Sequence, residues 1–404
     1  MSHPHDRGSP LPEQVTIPPG DPWNRLGPIG AGVGAIGIIA SAALGRAAPE
    51  EFFFSWLVSF LFFSSLALGA LYFVLIHWAM QGGWGVVVRR IAEHVMATIP
   101  VLAVLFLPVL LGMERLYPWA APGAAANDPL LHWKEPFLNV PFFVGRAAFY
   151  FACWSLLAWV WSRGSLSLDA TGSLATAARL RRFSGPGVVV LALTHTFAAF
   201  DWIMSLEPHW YSTIFGVYVF AGSLVSGVAV LALLAVLLER TGPLRDVFGA
   251  EHRHDLGKLL FAFTAFWAYI AFSQFFLIWY GNIPEETVWY KVRLEGSWKT
   301  VSALLALGHF VLPFFYFMGR TVKRKAPALA AGAVWILLMH LLDIRWLVVP
   351  ALHGAGAGFS LLDATTFLAV GGCFAGALGW RMRRHALVPL RDPRIRESLS
   401  YENA

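Results

Sequence analysis

Ten apolar segments, each about 20 residues long, constrain the fold of this chain more than any other feature of its sequence. A helix needs about 20 apolar residues to cross a hydrocarbon layer of about 30 Å. We therefore predict an all-α integral membrane protein with ten transmembrane helices, and the even number places both termini on one side. The segments cover approximately residues 26–45, 52–80, 91–113, 137–161, 186–206, 213–238, 257–280, 299–319, 327–349 and 364–382.

The composition excludes a soluble globular protein and a disordered one. Of the 404 residues, 57% are hydrophobic and 13% are Asp, Glu, Lys or Arg, whereas soluble chains average about 45–50% apolar and about 25% charged residues. The two cysteines, Cys153 and Cys373, are too few for a four-cysteine iron–sulfur site or a disulfide framework. The sequence also lacks the Cys-x-x-Cys-His motif of c-type haem, so any such haem belongs to a partner.

Basic residues indicate the orientation of the predicted helices. With both termini in the cytoplasm, 22 of the 30 Lys and Arg residues fall on the cytoplasmic face and 7 on the other, as the positive-inside rule requires. This distribution explains the net charge of +6 without a nucleic-acid partner. We predict a disordered cytoplasmic tail at 1–25 without a cleavable signal peptide, a transmembrane domain at 26–385 and a cytoplasmic tail at 386–404.

Seven ionisable side chains fall between the middle of the membrane and its outer surface. Charged groups at this depth are costly and mark functional sites by default, and a buried Arg needs an acidic or carbonyl partner. We expect Arg146 to pair with Asp201 or Asp343. The seven form a predicted outer proton pathway or quinone-adjacent pocket, and they are Arg146, His195, Asp201, His309, His340, Asp343 and Lys299.

A smaller polar group lies toward the cytoplasmic ends of the helices. His77, Glu93 and His94 are predicted to form an inner port for protons, although side chains at this depth also snorkel to the interface or cap helices. Between the two groups, Tyr269, Ser273 and Gln274 are predicted to hold connecting waters, since residues four apart share a helix face. We predict no metal site and no catalytic residue in the chain.

The two mid-membrane histidines, His195 and His309, have three alternative interpretations. They could ligate a b-type haem axially, or they could form hydrogen bonds that hold helices together. The third interpretation is proton transfer or a polar pocket for a quinone ring, for which imidazole is suited because one nitrogen donates while the other accepts. The residues alone leave these alternatives open.

Two long segments carry a resemblance to a known family. One reads THTFAAFDWIMSLEPHWYST at 194–213, and the other reads SQFFLIWYGNIPEE at 273–286. Both resemble the ActF family of membrane subunits in bacterial alternative complex III, which belongs to the larger NrfD-like, or polysulfide reductase membrane-subunit, family. The resemblance extends over approximately residues 50–385 and implies two four-helix bundles, at about 52–206 and 213–349, with flanking helices.

The resemblance also implies a function and a set of partners. Such a subunit supports quinol oxidation in the bacterial inner membrane without a covalently bound cofactor, provides a proton pathway, and in some proposals binds a quinone. Its implied partners are lipids, the sister NrfD-like subunit ActC, periplasmic iron–sulfur and c-haem subunits, and a terminal oxidase. The chain would then act within an oxidoreductase complex rather than catalyse alone. The alternatives are a passive scaffold for the sister subunit and a stand-alone secondary transporter.

Overall fold

The computed structural model describes residues 15–354 and 356–402, and within these ranges the chain folds into helices and no strands. Ten helical segments are long and apolar enough to cross a membrane, which confirms the predicted all-α membrane class. These spans cover Pro22–Gly45, Pro49–Met80, Gly83–Leu111, Val140–Thr171, Leu174–Leu206, Phe215–Thr241, Ala250–Gly281, Trp298–Met318, Ala326–Ala351 and Leu361–Arg384.

The individual α-helices are numbered in chain order, and several spans consist of more than one. They are α1 Leu26–Gly45, α2 Pro49–Met80, α3 Val86–Met96, α4 Ile99–Leu105, α5 Leu107–Leu111, α6 Met113–Leu116, α7 Ala124–Asn127, α8 Pro129–Lys134, α9 Val140–Thr171, α10 Leu174–Trp202, α11 Phe215–Thr241, α12 Ala250–Gly281, α13 Pro284–Arg293, α14 Trp298–Leu304, α15 Leu312–Met318, α16 Arg320–Arg324, α17 Ala326–Val348, α18 Leu361–Arg384 and α19 Ile395–Leu399. Short 3₁₀ segments lie at Pro22–Arg25, Gly83–Gly85, Pro118–Ala120, Met204–Leu206 and Val349–Ala351.

Proline explains where the third span is interrupted. Pro100 and Pro108 each follow a break in the helix, at residues 97–98 and 106, because proline lacks the amide proton that continues a helix. Other spans are longer than their apolar segments predict. Helix α9 runs on to Thr171, and α10 begins at Leu174, with the hydroxyl of Ser173 accepting from the amide of Thr176 as an N-cap.

Helices α2 and α11 form the centre of the molecule. Of their most apolar stretches, 94% of residues in α2 and 89% in α11 are buried. Helix α2 packs against α3, α10, α11 and α18, and α11 packs in addition against α12 and α17. The backbones of α2 and α11 approach closely at Gly69 and Gly227, where a Cβ on Gly69 would overlap the Ser223 carbonyl oxygen and lie 2.8 Å from Gly227 Cα.

Replacement of Gly69 by Ala is expected to lower the thermal unfolding midpoint by several degrees. The added methyl group has no space at the α2–α11 crossing, and overpacking of this kind costs about 1–3 kcal/mol. Gly32→Ala is the matched control, because a Cβ at Gly32 on α1 meets nothing within 4 Å. Thermal unfolding of the purified variants in detergent measures both effects, and equal midpoints for the two variants would contradict the close crossing.

The two described ends of the chain lie together at one end of the bundle, which we call the terminal end. The amide of Leu387 donates to the carbonyl of Val15 over 2.7 Å, and the side chains of Val15, Ile17 and Leu387 are buried. Within residues 15–25 of the predicted tail, the side chains of Val15 and Ile17 therefore pack against the C-terminal segment, while most of the other residues are exposed. Residues 1–14 of that prediction lie outside the described residues. We call the other end of the bundle the opposite end.

Candidate functional site

Asp201 and Arg146 form a buried ion pair that joins α10 to α9. Arg146 Nε and Nη2 donate to the two carboxylate oxygens of Asp201, each over 2.8 Å, and the Tyr150 hydroxyl donates to Oδ2 over 2.8 Å. Asp201 is fully buried, and Arg146 also donates to the Phe137 carbonyl over 2.9 Å. The expectation that Arg146 pairs with a carboxylate is confirmed, with Asp201 as its partner. Two-pronged pairing of this kind fixes both side chains.

Asp343 is buried as deeply as Asp201 but has a different environment. The Tyr218 hydroxyl donates to Oδ1 over 2.5 Å and Trp267 Nε1 donates to Oδ2 over 3.1 Å. Among the described residues, no Lys, Arg or His forms an ion pair with this carboxyl group, which is 1% exposed. A buried charge without a partner is expensive. A negative charge on Asp343 would therefore have no ionic partner among the described residues.

His340 lies three residues before Asp343 on α17 and contacts the central helices. Its Nε2 lies 2.8 Å from Ser65 Oγ on α2, and Ser226 Oγ on α11 lies 3.5 Å from Ser65 Oγ. Within the described chain, His340 Nδ1 has no hydrogen-bond partner. Gly222 leaves space beside this ring, since a Cβ there would lie 3.0 Å from His340 Cε1 and 3.9 Å from Trp267 Cδ1.

His195 lies beside a small internal cavity shared with the same serine. The cavity has a volume of about 20 Å³ and is lined by Ser64, Ser65, His195 and Trp202 among others. The Nδ1 atom of His195 also lies 3.4 Å from the Tyr72 hydroxyl on α2. A volume of about 10–15 Å³ holds one water molecule. The cavity thus has room for a water between His195 and Ser65, but a quinone ring or a haem does not fit in it.

His309 lies in a widened, π-helical turn at Leu305–Val311, between α14 and α15. Pro313 explains the widening, because a proline there cannot donate to the carbonyl of residue 309, and such turns recur at functional sites. The fully buried His309 ring stacks on Trp267 with centroids 3.9 Å apart, and the His340 ring centroid is 6.4 Å away. Neither His309 ring nitrogen has a hydrogen-bond partner in the part of the chain described.

Four predicted residues do not join this cluster. Tyr269 is 66% exposed and Lys299 is exposed, so neither side chain reaches the interior. Ser273 is half-buried on the same helix as Tyr269. Gln274 is buried, but it bonds to the Tyr290 hydroxyl over 3.1 Å at the opposite end. The predicted connecting trio is therefore not assembled between the two polar groups, because α12 turns Thr264, Trp267 and Gln274 inward and Tyr269 outward.

The residues of the predicted inner port lie at the terminal end in a network of ion pairs. Glu93 lies between Arg89, at 3.3 Å, and Arg90, at 2.8 Å. His94 Nε2 lies 3.2 Å from a backbone oxygen of the C-terminal segment. His77 lines a separate cavity at this end. Glu93 and His94 are thus engaged in structural contacts, and their role in proton uptake stays a prediction.

Sequence reasoning missed several residues that complete these sites. A further ion pair joins Nη2 of the buried Arg293 to Oε1 of the half-buried Glu207 over 2.8 Å at the opposite end. Burial lowers the pKa of the Arg293 guanidinium from its ordinary value, and the nearby Glu207 carboxylate opposes that shift. Both residues lie outside the apolar segments, so hydropathy does not indicate that they pair or that Arg293 is buried. The cluster partners that were missed are Ser65, Tyr72, Tyr150, Tyr218 and Trp267.

Together the buried groups form a discontinuous chain of proton donors and acceptors across the central helices. We name five of these residues the polar line, together with the small cavity that Ser65 and His195 line. The five are Asp343, His340, Ser65, His195 and Tyr72. Each of its carboxyl, imidazole and hydroxyl groups can hold or pass a proton. No protein-family model matches the chain, and a search of curated proteins finds no relative. The chemistry of the polar line is therefore the basis for a functional assignment.

Proposed function

We propose that this chain is an ActF-type membrane subunit of an alternative complex III and that it conducts protons along the polar line. The observation that carries the proposal is Asp343, a buried carboxyl group without an ion-pair partner among the described residues. A carboxyl group in such a site can exchange a proton without breaking an ion pair. Asp201, held by Arg146 over two bonds, lacks that freedom and serves instead to fix α9 against α10.

The hydrogen bonds of the polar line favour proton transfer over quinone binding in this part of the protein. His340 contacts Ser65 over 2.8 Å, and the cavity beside Ser65 and His195 accommodates about one water. A water there would bridge the two side chains. Quinol oxidation is then assigned to the sister subunit ActC, and the electrons pass to periplasmic iron–sulfur and c-haem subunits and onward to a terminal oxidase.

Substitution of Ser65 by Ala is expected to slow proton release that accompanies quinol oxidation by about two- to tenfold, since a hydrogen bond is worth about 0.5–1.5 kcal/mol. The variant removes the hydroxyl that joins His340 to the cavity, while the quinol-oxidising partner is untouched. The assay uses the assembled complex in vesicles with menadiol as donor and ferricyanide as acceptor, and a pH-sensitive dye reports the protons.

Ser59→Ala is the matched control for this experiment. Ser59 is also a buried serine of α2, but its hydroxyl contacts the Ser55 carbonyl and Thr366 on α18, away from the polar line. Proton release in the control should equal that of the unaltered complex. If Ser65→Ala and Ser59→Ala both retain full proton release, the chain is a passive scaffold for its sister subunit.

Purification from native membranes tests the assembly that the proposal requires. We expect the chain to copurify from a bacterial inner membrane with subunits that absorb as c-type haem and contain iron–sulfur clusters. A chain recovered alone that moves a solute across vesicle membranes would instead be a stand-alone secondary transporter.

A further inference from the structure

A cavity of about 230 Å³ opens at the terminal end of the bundle, where its lining residue His77 lies five residues beyond Tyr72 on α2. Four parts of the chain enclose it: the end of α2, the start of α3, the first turns of α10 and the segment that precedes α19. The cavity has room for several water molecules, or for a small polar group of similar size. Its lining includes none of the five residues of the polar line, although His77 also belongs to the predicted inner port.

The charged side chains around this cavity are mostly positive. Arg89, Arg181 and Arg394 line it, with Asp392 as the acidic residue. Arg89 is already paired with Asp392 over 2.5 Å, and it also contacts Glu93 over 3.3 Å. Arg181 is exposed and Arg394 is half-buried, so the charges of these two arginines are not neutralised within the lining.

Two buried side chains present hydrogen-bonding groups that the protein leaves unused. His77 and Trp78 line the cavity and are each 7% exposed. Trp78 Nε1 and both ring nitrogens of His77 lack a hydrogen-bond partner among the described residues, and the His77 ring lies beside Gly82 without a bond of ordinary geometry. Buried polar groups are normally satisfied by protein, water or a ligand. Hydrogen-bond donors that have no partner, next to arginines that have no ion-pair partner in the lining, are complementary to an anion.

We propose that this cavity binds a phosphate-bearing anion, held as the headgroup of an anionic phospholipid. Arg181 and Arg394 supply charge-assisted hydrogen bonds to the phosphate oxygens, and Trp78 Nε1 donates from within. The rim favours a lipid over free phosphate, because Leu174, at 71% exposure, and Ala177 form an apolar surface at the edge of the cavity. Acyl chains would lie on this surface, and basic pockets between membrane helices are a known mode of lipid recognition.

The test compares two double variants that remove the same charge. Arg181→Gln with Arg394→Gln alters the cavity, whereas Arg179→Gln with Arg396→Gln alters exposed arginines on the same two segments that do not line it. The full chain is purified in detergent, depleted of lipid, and titrated with phosphatidylglycerol, phosphatidylcholine or inorganic phosphate, with binding followed by native mass spectrometry. We expect phosphatidylglycerol to bind at least about tenfold more weakly to the cavity variant, and the control variant to match the unaltered chain.

Arg181→Gln alone guards against a folding defect, because Arg394 donates to Gln81 whereas Arg181 is exposed and its change removes no hydrogen bond seen in the described chain. This single variant should weaken phosphatidylglycerol binding and leave the unfolding midpoint unchanged. Equal weakening in the control variant, or tight binding of phosphatidylcholine at the same site, would overturn the proposal. Binding of inorganic phosphate with the same arginine dependence, without binding of phosphatidylglycerol, would overturn the lipid as its source.

Discussion

Replacement of Asp343 by Asn is expected to lower proton release coupled to quinol oxidation by about a hundredfold, the smaller end of what a positioned acid–base group contributes. The amide has the shape of the carboxyl group and can still accept from the Tyr218 hydroxyl, but it cannot take up or release a proton. Since Asp343 has no ion-pair partner among the described residues, its neutral replacement leaves no buried cation behind. The measurement uses the assembled complex in vesicles with menadiol, ferricyanide and a pH-sensitive dye.

Asp128→Asn provides the control for this variant. Asp128 lies at the opposite end, beyond the membrane-spanning helices, and pairs with His209 at 2.6 Å on the surface. Its substitution should leave proton release unchanged. Asp343→Asn should remain folded, with its unfolding temperature lowered only by the loss of the hydrogen bond from Trp267 Nε1 to Oδ2. Full proton release by a well-folded Asp343→Asn complex would remove the central support for proton conduction through this chain.

Replacement of Asp201 by Ala is expected to destabilise the protein by about 3–5 kcal/mol, the usual cost of leaving one member of a buried ion pair alone. The substitution removes both carboxylate oxygens that accept from Arg146, and it also removes the acceptor of the Tyr150 hydroxyl. The guanidinium is only 10% exposed, so water cannot fully replace the lost contacts. Thermal unfolding in detergent measures the change.

The double variant Asp201→Ala with Arg146→Ala distinguishes the interaction energy of the pair from the effects of each side chain's other contacts. Because no unpaired charge is then left inside the protein, the double variant should be more stable than the sum of the two single effects predicts. Additive effects would show that the two charges do not stabilise each other. The contrast with Asp343 is diagnostic, since one carboxyl group should affect stability and the other proton release.

The ten spans could be predicted because apolar length is a property of consecutive residues. The ends of the helices could not be predicted in this way. Helices α9 and α10 continue through polar sequence around Thr171 and Arg179, where apolar length gives no signal and the N-cap at Ser173 determines the boundary. Likewise, the packed segment at Val15 depends on a contact with Leu387, which is remote in sequence. Long-range contacts of this kind leave no local signal.

The candidate site could be predicted from the sequence where one buried residue requires a partner of a particular chemical type. A buried Arg146 requires an acidic partner, and only the choice between two aspartates was open. Ser65 gave no such signal, because a serine in an apolar helix is common and only its position opposite His340 makes it significant. Tyr269 shows the converse limit: spacing places it with Ser273 on one face of α12, but neighbouring helices determine that this face is outward.

The burial of α2 and α11 has a consequence for how the chain is made. Ser65 and Gly69 lie on α2, the second of the ten described spans, yet Gly69 meets its counterpart only when the sixth span arrives. The Ser65 to His340 hydrogen bond must wait for the ninth of the ten spans. A nascent chain arrested before that point would expose Ser65 on α2 to lipid or to a membrane chaperone, whereas the finished protein buries this side chain. The contacts of α2 at the centre of the protein are therefore completed late in its biogenesis.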